Sequence, residues 1–397
     1  MGSGETGSRG AVWTARGIAF VAFLDLFSQF PVVAPYARQL GASPALVGAT
    51  VGAYSFANLF GNVAAGPLLD RWGRKPALLL SLVAAAGALI LYTLVQTAEQ
   101  LVAVRVIHGL AAAVLSPGAF ALLGDNARPE ARARTFGSAA ALIAVAAVIG
   151  PALAGIARER FGAPAVFLSV AALLLTTAVV VALVVRERPL TAPEEGPLRS
   201  LAGLLRRRPL AIAFTAVFAL TVALGMIVTL LPIVLDARGE PARASGTAFS
   251  VYALVALLGL AGPAARLADR AGRGRPIAAG LFGVAAAMAL LAAVDSLPGV
   301  YVGMAVFGLG FSLLFPAAAA LVADGARSAE RGAAFGIFYA VYSAGAVVGA
   351  ASAGLLSERA GVLSPVPFAT GALIALLAVP VALLERSRGE RPWPISR

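Results

Sequence analysis

Gly66-Pro67-Leu68-Leu69-Asp70-Arg71-Trp72-Gly73-Arg74-Lys75-Pro76 lies between two long apolar stretches, and a degenerate copy, Arg266-Leu267-Ala268-Asp269-Arg270-Ala271-Gly272-Arg273, follows 199 residues later. The same offset places Gly109 on Gly308, Pro117 on Pro316, Asp125 on Asp324, Arg128 on Arg327, Arg132 on Arg331, Phe136 on Phe335, Gly137 on Gly336, Gly150 on Gly349 and Gly155 on Gly354. One register held over so many positions marks a duplicated chain. In a very apolar sequence, two similar halves imply a carrier whose halves rock about a central site.

Composition leads to the same place without the repeat. Of 397 residues, 60% are hydrophobic and 13% charged, too little polar surface for a water-soluble fold of this length. Most of the surface must face lipid. Cysteine is absent, which excludes disulfides, thiolate metal sites and cysteine nucleophiles. A single histidine cannot build a multi-histidine metal centre, and neither a Gly-x-Ser-x-Gly elbow nor a phosphate-cradling loop is found. The chain is therefore read as a non-enzyme without cofactor or metal. Its net charge of +12 is what a positive-inside membrane protein acquires, and it calls for no nucleic-acid partner.

Apolar runs able to cross a bilayer, about 20 residues each, fall at 17–37, 45–68, 76–96, 101–124, 135–157, 164–185, 210–235, 245–266, 276–294, 299–323, 332–356 and 365–384. The expected fold is all-α and integral to the membrane, with twelve transmembrane helices in two pseudosymmetric six-helix bundles. Residues 1–16, rich in Gly and Ser, are expected to form a disordered cytoplasmic tail and not a signal peptide. The bundles take 17–185 and 210–384, and 385–397 form a C-terminal tail. Between the bundles, residues 186–209 carry Pro189, Pro193, Pro197, Pro209 and the cluster Arg206-Arg207-Arg208, and read as a cytoplasmic linker.

Most arginine and lysine lies in the two tails and in the loops after the even-numbered spans. The alternate loops hold only Arg38, Arg158, Arg160, Arg238, Arg243 and Arg359. Both termini are thus expected in the cytoplasm, with the chain, read as a monomer, in the inner cell membrane.

Transport chemistry is sought among embedded polar groups, because an unpaired charge at the centre of a span costs about 2.5–3.5 kcal/mol even on insertion scales. Asp25 stands out. It lies between Leu24 and Leu26 near the middle of the first span, and its repeat partner is Leu224, so duplication does not account for it. A carboxyl group there can be neutral or ionised according to its access to water, as a proton carrier requires. Gln29 is one turn further on the same face; Tyr54, Asn58 and Asn62 form a polar stripe on the second span; Arg105 and His108 share a face of the fourth. An Asp25–Arg105 bridge is one arrangement of these groups. For His108, a packing imidazole and a proton-transfer group are both open, and the stripe either lines a cavity or bonds between helices. Phe27 on the first span, Phe311 on the tenth, and Phe338, Tyr339 and Tyr342 on the eleventh belong to aromatic stripes suited to a greasy pocket for lipophilic or flat aromatic compounds, cations among them.

Taken together, these residues resemble the major facilitator superfamily and, within it, the twelve-helix drug:proton antiporters, over nearly the whole chain. Gly66 to Pro76 is similar to the family's loop signature between its second and third helices, Arg105 with Gly109 to its Arg-x-x-x-Gly signature, and Gly137 with Gly150-Pro151-Ala152-Leu153-Ala154-Gly155 to the glycine/proline signature of antiporters. Ala146 and Ala154 stand where that last pattern usually has glycine. The resemblance implies that Gly66, Asp70, Arg71, Gly73 and Arg74, with Asp125, latch the two halves on the cytoplasmic side, Asp70 lying near the start of the eleventh helix. Asp269, Arg270, Arg273 and Asp324 would form the matching latch. Physically, Gly66 and Gly73 permit close helix approach and a tight turn, and Asp70 offers a carboxylate to a helix N-terminus.

The function expected is secondary active transport by alternating access: proton-coupled export of small hydrophobic or amphipathic compounds, with Asp25, Arg105 and His108 handling protons. A carrier of a metabolite, sugar or lipid on the same fold remains open, as does a non-transporting membrane receptor or scaffold. Expected partners are a small-molecule substrate, protons and the lipid bilayer.

Overall fold

The computed structural model describes residues 3–127, 131–186, 201–261, 272–327 and 330–385. Among these residues there are helices and no strands. The first half contains α1 (Ser3–Ser28), α2 (Val33–Gln39), α3 (Pro44–Trp72), α4 (Arg74–Tyr92), α5 (Ala98–Ala112), α6 (Leu115–Asn126), α7 (Arg132–Phe161) and α8 (Ala163–Val184). After the short α9 (Leu201–Leu205) come α10 (Arg208–Ala237), α11 (Ala242–Ala261), α12 (Gly274–Ala293), α13 (Leu297–Gly325), α14 (Arg331–Ala360) and α15 (Val366–Leu383). Every one of the twelve expected spans coincides with one helix or a broken pair. Eleven are long and apolar enough to cross a bilayer by composition alone. The exception, α3, has the length, but Tyr54, Ser55, Asn58 and Asn62 interrupt its apolar run.

The repeat is visible in the helix boundaries. Thr97 caps α5 by accepting from Gln100 N–H, and Ser296, its repeat partner, caps α13 from Gly299 N–H. Gly162 turns α7 into α8 at φ +81°, and Gly361 turns α14 into α15 at φ +93°, a backbone conformation that favours glycine. Such short turns make successive long helices antiparallel, so one end of the molecule carries the Gly66–Pro76 loop and the other carries these four residues. The first is called the loop side here and the second the far side.

Two expectations about the first bundle are corrected. It begins before residue 17: Ala11, Thr14 and Ala15 are already buried, and the Arg16 guanidinium lies 4.7 Å over the Trp13 ring, which keeps that charge at the apolar boundary. Nor is the first span one helix. Pro31 has no N–H to donate, α1 ends at Ser28, and tight turns (Phe30 N–H to Phe27 O, 3.2 Å; Val32 N–H to Gln29 O, 3.1 Å) lead into α2. The fourth span is likewise split, into α5 and α6, whereas the corresponding helices of the second half, α10 and α13, are continuous.

The halves meet through two crossings related by the repeat. On one, α7 packs its last turns against the first turns of α11; on the other, α14 does the same to α3. Gly246 allows the first, since a Cβ there would lie 2.3 Å from Pro151 O; Gly48 allows the second, where a Cβ would lie 2.4 Å from Ala350 O. Carboxylates complete both. Glu159 of α7 accepts from Arg243 N–H at 3.0 Å, and Glu358 of α14, its repeat partner, accepts from Ala45 N–H at 3.0 Å, each at the positive end of a helix in the opposite half. These contacts all lie on the far side. At the other ends of the same helices, a Cβ built on Gly66, Gly137, Gly332 or Gly336 would meet nothing within 4 Å. Among the described residues, the halves are closed on the far side and parted on the loop side.

A side chain at Gly48 is therefore expected to force the far side apart, overpacking of this kind costing about 1–3 kcal/mol. With Ser245→Cys as reporter, buried at the other crossing, Gly48→Val should raise the rate of thiol labelling severalfold, and Gly66→Val should leave it unchanged. Equal labelling in the two variants would contradict the closure described.

Candidate functional site

Asp25 sits in the last turn of α1, one turn before the break, and not in mid-helix as expected; its side chain is completely buried. A carboxylate in such surroundings has to be paired and hydrogen-bonded. Gln29, one turn on, donates from Nε2 to Asp25 Oδ1 at 2.7 Å. His108 Nε2 lies 3.1 Å from Asp25 Oδ2, an ion-pair distance although off the line of an ideal hydrogen bond, and neither atom has another partner among the described residues. The ring's other nitrogen, Nδ1, is 3.1 Å from Tyr92 Oη. Tyr92, the last residue of α4, accepts at its carbonyl from Tyr36 Oη of α2 at 2.8 Å.

Arg105 provides the compensating charge, but at one remove. Its guanidinium donates to Gln29 Oε1, and also to the α3 carbonyls of Thr50 (3.2 Å) and Val51 (3.3 Å), with the Tyr54 ring 4.8 Å below. The direct Asp25–Arg105 bridge is thus replaced by Asp25–Gln29–Arg105. The reason is depth along α5: His108 is one turn closer to the level of Asp25, and takes the place that the arginine was assigned. Tyr92 Oη and the Asp25 carboxylate thus lie at opposite nitrogens of the His108 ring.

Gly109 explains how α3 comes so near. A Cβ there would lie 2.4 Å from Tyr54 O, so glycine lets the two backbones touch, and Asn58 Nδ2 then donates to Gly109 O at 3.1 Å. Gly308 repeats this contact with α11, meeting Tyr252 O at 2.6 Å. Of the polar stripe on α3, Tyr54 faces Arg105 and His108 and Asn58 holds α5, while Asn62 donates to Asn58 Oδ1 at 2.7 Å within α3. Tyr54 is buried, Asn58 half-buried and Asn62 exposed.

One connected aromatic group lies in the second half. Tyr252 packs edge-on to Phe307 and Phe311, Phe311 stacks on Phe315 at 5.2 Å, and Phe315 reaches Phe338 and Tyr342. Phe338 is fully buried and anchors the group, with Tyr339 exposed beside it. Phe27 belongs to a different set: it packs with Phe23 and Phe30, and Phe30 touches Phe249 across the halves. Among the described residues, no cation lies over a ring of either group.

Of the loop-side residues, Arg74 joins Asp70 (2.9 Å) and Asp125 (3.2 Å), all within the first half. Arg273 repeats the second link with Asp324 at 3.3 Å. Asp70 makes no polar contact with α14 among the described residues, because the loop side is parted. Arg71 and Gly66 are exposed, Gly73 has φ +87° between α3 and α4, and Asp269 and Arg270 lie outside the described residues. In α7, Gly150 packs on Leu24 and Phe27 of α1, Pro151 and Gly155 form the crossing with α11, and Gly137 faces open space.

Sequence reasoning missed Tyr92, Tyr36, Tyr252 and Arg158. Tyr92 carried a signal: it is the one phenol in a span otherwise made of small and aliphatic residues.

The family model described as Major Facilitator Superfamily matches residues 17–292 and 239–397. "Multidrug resistance protein 1" of Bacillus subtilis is 29% identical over 178 residues, 45% of this chain and 44% of that protein. "Quinolone resistance protein NorA" of Staphylococcus aureus is 26% identical over 140 residues, 35% of this chain and 36% of that protein. The matched stretch thus spans less than half the length of either relative. Among solved structures, the nucleoside transporter NupG (D323A mutant) superposes with a TM-score of 0.81 at 14% identity, covering 94% of this chain and 99% of that one. A bacterial homolog of the human lysosomal transporter Spinster, in an inward-facing and occupied conformation, gives 0.76 at 15% identity, with 94% of each chain covered. At such identities the two structures establish the fold alone.

If Arg105 compensates Asp25, Arg105→Leu should destabilise the protein by about 3–5 kcal/mol, the usual result of stranding a buried charge. Adding Asp25→Asn should recover most of the loss. Thermal unfolding of the two single variants and the double variant measures the coupling, and strict additivity would refute it.

Proposed function

The chain belongs to the Major Facilitator Superfamily and is a multi-pass membrane transporter of small molecules, and from that premise we propose that it exports hydrophobic or amphipathic compounds in exchange for protons. The observation that carries this reading is the buried Asp25–His108 pair, held at 3.1 Å in one half of a duplicated fold. Its repeat partners are Leu224 and Phe307, and that of Arg105 is Met304. Closure and helix packing are served equally by both halves, so the unrepeated charges have another purpose. A carboxylate and an imidazole that share one proton can accept a second when water reaches them and lose it when a different side opens.

In this reading the loop side is cytoplasmic, as its arginines and lysines support, and the parted state is the one that admits substrate from the cytoplasm. The aromatic group around Phe311, Phe315, Phe338 and Tyr342 offers stacking faces for a lipophilic compound, with Tyr339 at its exposed edge. Proton and substrate then occupy different halves. Their exchange is coupled through alternation of the two conformations, since direct competition for one group would require them to share it. Arg105, carried by α5 and bonded to the α3 carbonyls of Thr50 and Val51, is the fixed countercharge. A proton added to the pair leaves a net positive charge in apolar surroundings, which favours a conformation that gives it water.

Asp25→Asn keeps shape and hydrogen bonds but cannot titrate. It is expected to abolish substrate-dependent proton movement in liposomes under an imposed pH gradient, while exchange of substrate without a gradient persists. Full proton-coupled transport by this variant would remove Asp25 from the mechanism, and a carrier of the same fold that uses no protons would take its place.

A further inference from the structure

Arg158 ends α7 with its side chain only 7% exposed. One terminal nitrogen donates to Pro31 O at 2.9 Å, and the other pairs with Asp236 at the end of α10, in the opposite half. Pro31 belongs to the turn that ends α1. The N–H groups of Val32 and Val33 both donate to Gln29 O, at 3.1 and 3.0 Å, so this turn and Gln29 move as one hydrogen-bonded unit. Gln29 in turn holds Asp25 through its side-chain amide. An unbroken chain of contacts therefore runs from the buried carboxylate through Gln29, the Pro31 turn and Arg158 to the second half.

The repeat separates this chain from ordinary closure. Glu159 and Glu358 are repeat partners and each accepts from a backbone N–H of the opposite half, and Gly155 and Gly354 make matching close contacts, whereas the partner of Arg158 is Ser357. Arg158 is thus unrepeated, like Asp25, Arg105 and His108. We infer that Arg158 is the positioning residue that couples protonation of the buried site to closure of the far side. The inference rests on the proton-exchange reading above.

The physical step is short. Ionised Asp25 receives a charge-assisted hydrogen bond from Gln29, and protonation weakens it. The end of α1 and the Pro31 turn are then released, Arg158 loses its carbonyl, and its pair with Asp236 loosens across the crossing. The polar and charged groups facing Asp25 are Gln29 on α1, His108 on α5 and, through Gln29, Arg105, with Tyr92 of α4 bonded to His108 and Tyr54 of α3 beside the rings. Around Arg158 are Asp236, and on its own helix Glu159, which pairs with Arg243, and Arg160.

The chain contains no cysteine, so spin labels can be placed at Glu99→Cys and Leu363→Cys, exposed far-side positions in opposite halves. Distances between them are measured by pulsed electron resonance on the full-length protein at about pH 5 and about pH 8. In the otherwise unaltered protein, acidification should raise the ratio of open to closed far side by about fivefold or more. Arg158→Gln should abolish that response, giving one distribution at both pH values. Asp236→Asn, which leaves the Pro31 bond intact, should do the same. Glu159→Gln should increase the open population at both pH values and preserve the response. A full pH response in Arg158→Gln overturns the inference, and so does its loss in Glu159→Gln, which would make Arg158 one closure contact among several. Absence of any response in the unaltered protein would show first that the proton-exchange reading fails, and the coupling role falls with it.

Discussion

A carboxylate placed where neither water nor lipid can solvate it is the constraint that organises the first half of this transporter. Asp25 is fully buried, and its charge is met by a nearby imidazole, by an amide that relays it to Arg105, and by phenols behind the ring. The chain breaks its first and fourth spans close to these residues, and the second half, which has no such charge, leaves the corresponding helices whole. Arg105 adds rigidity by binding the carbonyls of Thr50 and Val51, so α1, α3, α4 and α5 are joined at one level of the membrane.

Against that asymmetry, duplication supplies the moving parts. Each half lends the end of one helix and a glutamate to the other, and glycine at both crossings removes the side chain that would hold the backbones apart. Two equal contacts about a pseudo-two-fold axis let the halves rock without preference for one partner. Directionality then has to come from residues that the repeat lacks. Asp25, Arg105, His108 and Arg158 are among those residues, and these four lie in the first half.

The number, order and approximate limits of the spans were legible because a bilayer demands long apolar runs, and the 199-residue repeat stated the symmetry openly. Asp25, Gln29, Arg105 and His108 were recognisable as a group from helical spacing. Their pairing was not. Spacing fixes which residues share a face of one helix, but not the relative height of two helices, and that height gives His108 the contact assigned to Arg105. The break at Pro31 could not be separated from the prolines that other spans absorb, such as Pro151 and Pro232. Whether the stripe on α3 faced a cavity or a helix depended on Gly109, whose close approach to Tyr54 is a property of the packed pair. The loop motif was legible as a cluster, yet its reach between halves depends on conformation, and here Arg74 gathers Asp70 and Asp125 within the first half.

The central claim is that Asp25 is a titrating group paired with His108, and infrared difference spectroscopy tests it without knowledge of the substrate. Spectra of the purified protein in lipid are taken across a pH titration. The account predicts a protonated-carboxyl band that grows on acidification, vanishes in Asp25→Asn and shifts its midpoint in His108→Gln. A carboxyl band that survives Asp25→Asn unchanged, or one indifferent to His108, would contradict it.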